Sequence, residues 1–169
     1  VFTPGSAMKT GGDFFAASAR ACELLGRRGI FLTRYPEQLP PLPPMIRHFH
    51  YAPFSQILPH AAAFVHHGGI GSVAQGLRSG VPQLVMPCSY DQLDNATRVQ
   101  RLGAGLALPR PRYQPEAVAA SLRRLIEEPA FREQSAMHAG EAAKANAIPM
   151  AVDLMEAYWQ LRNRRSLVA

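Results

Sequence analysis

The stretch AAAFVHHGGIGSVAQGLRSGVPQLVMP, from Ala61 to Pro87, determines the fold class of this chain. It begins with an apolar run of strand length, passes through a glycine-rich turn, and continues as a short helical pattern and a second apolar strand. Strands that alternate with helices in this way are typical of βαβ units. We therefore predict an α/β fold with a parallel sheet flanked by helices.

Composition and length predict a single globular domain over residues 1–169. Hydrophobic residues make up 47% of the chain and charged residues 18%, as in ordinary folded proteins. No apolar run approaches the length of about 20 residues that spans a bilayer. Cys22 and Cys88 are too few for a disulfide framework, which predicts a reducing, cytoplasmic compartment.

The net charge of +6 is carried by basic residues scattered along the chain. Such a balance fits an anionic ligand or an anionic membrane surface, and the basic stretch 162–165 could contact a membrane peripherally. Aromatic residues do not alternate with basic ones in the manner that stacks bases, so we expect no nucleic-acid partner. The chain opens at Val1, inside an apparent strand, which predicts a fragment of a longer protein.

The apolar periodicities predict the bounds of the strands and helices. The predicted strands are Val1–Thr3, Ile30–Leu32, Met45–Tyr51, Ala62–His66, Gln83–Met86 and Leu106–Leu108. The predicted helices are Asp13–Arg28, Ser55–Leu58, Ser72–Ser79, Asp91–Leu102, Pro115–Glu128, Ala130–Asn146 and Pro149–Arg164. Asp13 is the expected N-cap of the first helix, and the prolines between Pro36 and Pro43 exclude regular structure there.

The glycine-rich turn contains GIGSVA, which fits the G-x-G-x-x-A fingerprint of dinucleotide-binding oxidoreductases. Three features disfavour that interpretation. The preceding strand ends in His66 and His67, the following helix is short, and Asp91 lies in a loop, whereas the acidic residue of the fingerprint follows the second strand directly.

The same turn is suited to a diphosphate. A helix that starts at Ser72 presents free N–H groups and the positive end of its dipole, and Gly69 and Gly71 let a ligand approach the backbone. The Ser72 hydroxyl and the His67 imidazole can each donate a further hydrogen bond. Side chains alternate along a strand, so we interpret His66 as an ordinary strand-end residue on the opposite face.

The segment YAPFSQILPHAAAFVHHGGIGSVAQGLRSGVPQLVMPCSYDQLDNA, Tyr51 to Ala96, resembles the nucleotide-sugar signature of a glycosyltransferase family. That family includes the plant secondary-product, macrolide, sterol and rhamnosyl transferases, and the HHGGIGS turn is similar to bacterial members. The resemblance implies a GT-B fold of two Rossmann-like domains facing a cleft. This chain then corresponds to the C-terminal, donor-binding half, and the N-terminal acceptor domain is missing from it.

The resemblance also implies roles for individual residues. The nucleoside would stack on Tyr51 and bond the backbone of Ala52. Asp91 and Gln92 would hold the hydroxyls of the donor sugar, and Asp91 could at the same time be the N-cap of its helix. The diphosphate would be bound by Ser6, His67, Gly69, Gly71 and Ser72.

Two positions depart from the family pattern. Gln75 stands where many members have a ribose-binding Glu, and Phe54 stands where plant enzymes have a ribose-contacting Gln. Fewer polar contacts to ribose cost less with a deoxyribose donor, so we expect a preference for dTDP-sugars over UDP-sugars.

The resemblance implies an inverting, metal-independent hexosyl transfer to an acceptor hydroxyl of a lipid, sterol or natural product. The donor is a co-substrate, so no cofactor is expected. The general base would lie in the missing half, which leaves no catalytic residue in this chain and predicts that it is inactive alone. A nucleotide-sugar epimerase and a non-catalytic nucleotide-binding module remain as alternatives.

Overall fold

The computed structural model describes residues 1–6, 8–144 and 147–165. Its six strands form one parallel sheet in the order β3-β2-β1-β4-β5-β6. The strands are β1 (Phe2–Thr3), β2 (Gly29–Leu32), β3 (Ile46–Phe49), β4 (Phe64–His66), β5 (Gln83–Val85) and β6 (Gly105–Ala107). The predicted α/β fold with a parallel sheet flanked by helices is confirmed.

Helices connect the strands and cover both faces of the sheet. They are α1 (Gly12–Leu25), α2 (Phe54–Ile57), α3 (Ile70–Arg78), α4 (Gln92–Arg101), α5 (Pro115–Glu127), α6 (Pro129–Lys144) and α7 (Ala147–Arg165). Single 3₁₀ turns occur at Pro36–Gln38, Leu58–His60 and Arg110–Arg112. The proline-rich stretch is therefore not wholly irregular, because Pro36 occupies the first position of such a turn, where its fixed φ and missing N–H are tolerated.

The order of the strands reverses at β1. This strand pairs with β2 on one side and with β4 on the other, with Phe2 opposite both Phe31 and Val65. In open parallel sheets a crevice opens outside the carboxyl ends of the strands at such a reversal. A ligand site is therefore expected at the loops after β1 and β4.

The core lies on both faces of the sheet, because successive strand residues point to opposite sides. Val65 and Leu84 pack with the face covered by α1 and α5, whereas Val85 packs with α3 and α4 on the other face. On the first face Tyr113 stacks on Phe14 at 5.2 Å between ring centroids. Burying each of these large apolar side chains contributes on the order of 2 kcal/mol.

Two helices begin earlier than the sequence predicted. Gly11 occupies the N-cap position of α1, and Asp13 lies exposed in the first turn, where its charge complements the helix dipole without capping. Likewise α3 begins at Ile70 rather than Ser72, with Gly69 at the N-cap. Both caps are glycines, which carry no side-chain oxygen to mark the start.

The last helix, α7, exposes large apolar side chains. They are Ile148, Met150, Val152, Leu154, Met155, Tyr158 and Trp159, each at least 47% exposed. None of the helices in the described part of the chain is long and apolar enough to cross a membrane. Of the basic cluster 162–165, the side chains after Arg162 lie outside the described residues.

Candidate functional site

A cleft of about 560 Å³ opens at the carboxyl ends of β1 to β4. We call it the strand-end cleft. It brings together most of the residues that the sequence predicted as a site, namely Ser6, Tyr51, Ala52, Phe54, His67, Gly69, Gly71, Ser72 and Gln75. Asp91 and Gln92 do not line it.

The turn between β4 and α3 supplies free backbone donors. The N–H groups of Ser72 and Val73 both bond the Gly69 carbonyl, at 2.9 and 3.1 Å. Those of Ile70 and Gly71 have no acceptor among the described residues, as expected for the first positions of a helix. The amides that are free to bind a ligand are therefore those of Ile70 and Gly71, which precede the predicted helix start at Ser72. The Ser72 hydroxyl can still donate a hydrogen bond.

His67 lies in a slot between two glycines. A Cβ on Gly5 would lie 2.7 Å from Cε1 of the imidazole, and a Cβ on Gly69 would lie 2.6 Å from its Nε2. Only residues without a side chain leave this space for the ring. Burial lowers the pKa of His67, and the nearby Asp91 carboxylate partly opposes that shift. The Nδ1 atom is buried and has no hydrogen-bond partner among the described residues.

The other end of the cleft is aromatic. Tyr51 follows β3 and is 72% exposed, so one of its ring faces is available to a flat ligand. Phe54 forms part of the cleft wall and also packs edge-to-face against the buried Phe64, at 5.1 Å between centroids. Gln75 is exposed on α3 and lines the same cleft. Both departures from the family pattern therefore lie in the cleft.

Several residues that line the cleft were not predicted from the sequence. Among them is Arg34, whose guanidinium group brings a positive charge to the cleft. Arg34 and His50 come just after β2 and β3, at the same edge of the sheet as the glycine-rich turn. Their signal is position alone, because residues that follow parallel strands gather at one edge. Among the described residues that line the cleft there is no carboxylate.

Asp91 and Gln92 lie beside the turn at the start of α4. Asp91 is in the N-cap position but makes no side-chain capping bond; its Oδ2 accepts from the Asn95 amide at 2.8 Å. The Gln92 Oε1 accepts from the N–H groups of Cys88 and Ser89, at 2.9 and 3.2 Å. The Gln92 Oε1 is therefore already engaged by the backbone, and the NH₂ group is the part of its side chain that is left for a ligand.

His66 is fully buried and points away from the cleft, as the alternation along the strand predicted. Its Nδ1 accepts from the Gly68 N–H at 3.0 Å, so its Nε2 carries the proton and donates to Gln83 Oε1 at 2.9 Å. Burial lowers the pKa of His66 to about 3. The ring is therefore neutral at physiological pH, and its bond to the Gly68 N–H fixes the turn on the side away from the cleft.

A protein-family model matches residues 30–156 of the chain; its description is "Erythromycin biosynthesis protein CIII-like, C-terminal domain". Aklavinone 7-beta-L-rhodosaminyltransferase of Streptomyces galilaeus is 37% identical over 115 residues, which are 68% of this chain and 26% of that protein. The chain spans about a quarter of the length of the curated relatives that it matches.

Solved structures agree with this match. The calicheamicin glycosyltransferase CalG4 superposes with a TM-score of 0.81 at 27% identity, over 93% of this chain and 41% of that chain. The glycosyltransferase VinC, solved in complex with dTDP, superposes with a TM-score of 0.69 at 32% identity, over 79% of this chain and 33% of that chain.

Proposed function

Because this chain belongs to the EryCIII-like C-terminal domain family, we propose that it is the donor-binding part of a glycosyltransferase that uses a nucleoside-diphosphate sugar. The observation that carries the proposal is the glycine-rich turn, whose free amides, His67 and Ser72 converge at the reversal of the strand order. The similar proteins are transferases, so neither an epimerase nor a non-catalytic module is favoured.

The cleft divides into two ends that suit the two parts of such a donor. The diphosphate would lie on the amides of Ile70 and Gly71, with hydrogen bonds from His67 and Ser72. The nucleoside would extend toward Tyr51, and Arg34 would lie between these ends, since β1 and β2 separate β4 from β3. The sugar would leave the cleft on the side of Asp91.

The reaction would be an inverting transfer to an acceptor hydroxyl of a lipid, sterol or natural product. The acceptor oxygen attacks the anomeric carbon, and the bond to the diphosphate breaks as its oxygen takes the electron pair. Helix N-terminal amides and His67 would stabilise the charge on the leaving group, an arrangement that needs neither metal nor cofactor. The base that removes the acceptor proton would lie outside this chain.

Calorimetric titration with thymidine diphosphate (dTDP, written TDP for short), with TDP-glucose and with a panel of other nucleoside diphosphates tests the donor site. We expect the 169-residue chain to bind TDP and to transfer no sugar from TDP-glucose. Ser72→Ala should weaken TDP binding about tenfold, because a hydrogen bond to a charged group contributes about 1.5 to 3 kcal/mol. The matched control is Ser121→Ala, a helical serine that does not line the cleft. Turnover by the chain alone would contradict its assignment as only the donor half.

We further propose that the donor nucleotide is dTDP rather than UDP, because Phe54 and Gln75 line the cleft and stand where the family resemblance implies ribose-binding groups. The complex of VinC with dTDP supports this choice. Parallel titrations with TDP and UDP measure the preference, and Gln75→Glu should shift it toward UDP. UDP binding tenfold tighter than TDP, or about 1.4 kcal/mol, would disprove the proposal.

A further inference from the structure

A continuous set of hydrogen bonds runs beneath the glycine-rich turn. It begins in the core at Gln83, passes through His66 to the Gly68 N–H, and leaves the turn at the Gly68 carbonyl. That carbonyl accepts from Asn95 Nδ2 at 2.9 Å. The same nitrogen donates to Asp91 Oδ2 at 2.8 Å, so the chain of bonds ends at the predicted sugar contact.

We propose that Asn95 is a positioning residue that fixes the Asp91 carboxylate to the diphosphate-binding turn, so that sugar and diphosphate are recognised by one rigid unit. This inference rests on the proposed function. Asn95 itself is buried and does not line the strand-end cleft. It would act on the donor only through Asp91 and Gly68.

An amide is the side chain that suits this position. The Asn95 nitrogen carries two N–H groups, which donate to the Gly68 carbonyl oxygen and to Asp91 Oδ2. An aspartate at this position would instead place a third acceptor oxygen against these two. Asp91 makes no capping bond. Among the described residues, Asn95 is therefore the hydrogen-bond partner that fixes its carboxylate. Oδ2 is engaged by this bond, and the other carboxylate oxygen is left for a ligand.

The turn cannot easily yield to compensate for the loss of Asn95. Gly68 has φ of +93°, and a Cβ there would lie 2.8 Å from Val85 Cγ1 and 3.2 Å from the Gln92 carbonyl. The turn is therefore packed against both β5 and the start of α4. Removing Asn95 should leave the diphosphate turn in place and release Asp91, which separates the two effects experimentally.

The test measures the dissociation constants of TDP and TDP-α-D-glucose for the 169-residue chain and its variants. We expect Asn95→Ala to weaken TDP-glucose about tenfold and TDP less than threefold. Asp91→Ala should give the same selective loss. In the double variant the loss should equal that of either single variant, because each removes the same interaction. Thr97→Ala, exposed on the same helix, is the matched control and should leave both ligands unchanged.

Retained TDP binding shows that a variant is folded. Should Asn95→Ala fail to fold, Asn95→Ser, which keeps a single donor, is expected to show a smaller loss of TDP-glucose in the same direction. Equal losses of both ligands, or additive losses in the double variant, would overturn the inference and leave the proposed function intact. Failure of the wild-type chain to bind TDP would overturn the proposed function itself.

Discussion

His66 and His67 are adjacent in the chain but differ in exposure to the cleft and in hydrogen bonding. His66 is fully buried and bonded at both nitrogens, and it is neutral because burial lowers its pKa. His67 lines the cleft between two glycines, with one nitrogen unsatisfied. The difference follows from strand geometry, which directs successive side chains to opposite faces.

His67 should make diphosphate binding depend on pH. Burial lowers the pKa of the free imidazole, and a bound anion would raise it, so binding takes up a proton and strengthens as pH falls. Between pH 8 and pH 6, TDP affinity should rise more for the wild-type chain than for His67→Gln, by up to tenfold for each unit that the bound-state pKa is raised. Calorimetry on both proteins cancels the titration of TDP itself. Identical pH profiles would rule out this role, and His60→Gln, away from the cleft, is the control.

His66 should limit stability in acid. Its pKa is about 3 in the folded chain and near 6.5 in an unfolded one, so its contribution is present above pH 6.5 and is lost as pH falls toward 3. The free energy of unfolding should decrease by about 1.4 kcal/mol per pH unit in that window. Urea unfolding of the wild-type chain and His66→Gln from pH 7 to pH 4 measures this slope. An equal slope in the variant would contradict the prediction.

At the scale of elements, helix α3 is fitted to strand β5 through one glycine. A Cβ on Gly76 would lie 2.5 Å from Cδ of Gln83, the residue that bonds His66. Gly76→Ala should therefore lower the free energy of unfolding by about 1 to 3 kcal/mol through overpacking. Gly140→Ala is the matched control, because α6 leaves open space there and alanine should add about 0.5 to 1 kcal/mol. Urea titration of both variants decides; a neutral Gly76→Ala would show that Gln83 can move freely.

The elements differ in how far the sequence could predict them. Strand β4, the turn and α3 follow from apolar periodicity and glycine positions, which are local signals. The bonds of Gln92 to Cys88 and Ser89 are not predictable in this way, because they depend on how a loop folds back on its helix. Asn95 gave no local signal either, since its partner Gly68 lies 27 residues earlier in the chain.

For the whole molecule, the cleft joins residues that are distant in sequence. Thr3 and His66 are partners in neighbouring strands although 63 positions apart, and Arg34 enters the cleft because β2 lies on the other side of β1. The predicted element order was sufficient for the fold class. Predicting the charge of the cleft would also have required the order of the strands in the sheet, which apolar periodicity does not reveal.

The last helix should contribute little to the stability of the sheet. The large apolar side chains described on α7 are exposed, so ending the chain after Lys144 removes little of the buried apolar surface that the structure describes. We expect the urea midpoint to be unchanged for residues 1–144. Ending the chain before α6 should lower it, because Arg132 bonds the carbonyls of Gly80, Ala61 and Ala62. A lower midpoint on removing α7 alone would mean that this helix packs on the domain in solution.

No carboxylate lies among the described residues that line the strand-end cleft. The cleft should therefore prefer a diphosphate that is free of metal ions to its magnesium complex. Arg34, the imidazoles and the helix terminus all favour the uncomplexed anion. Magnesium, which associates with diphosphates in solution, would compete with the protein for the same oxygens. Added Mg²⁺ should therefore weaken TDP binding by sequestering the free nucleotide, which calorimetry with and without Mg²⁺ measures.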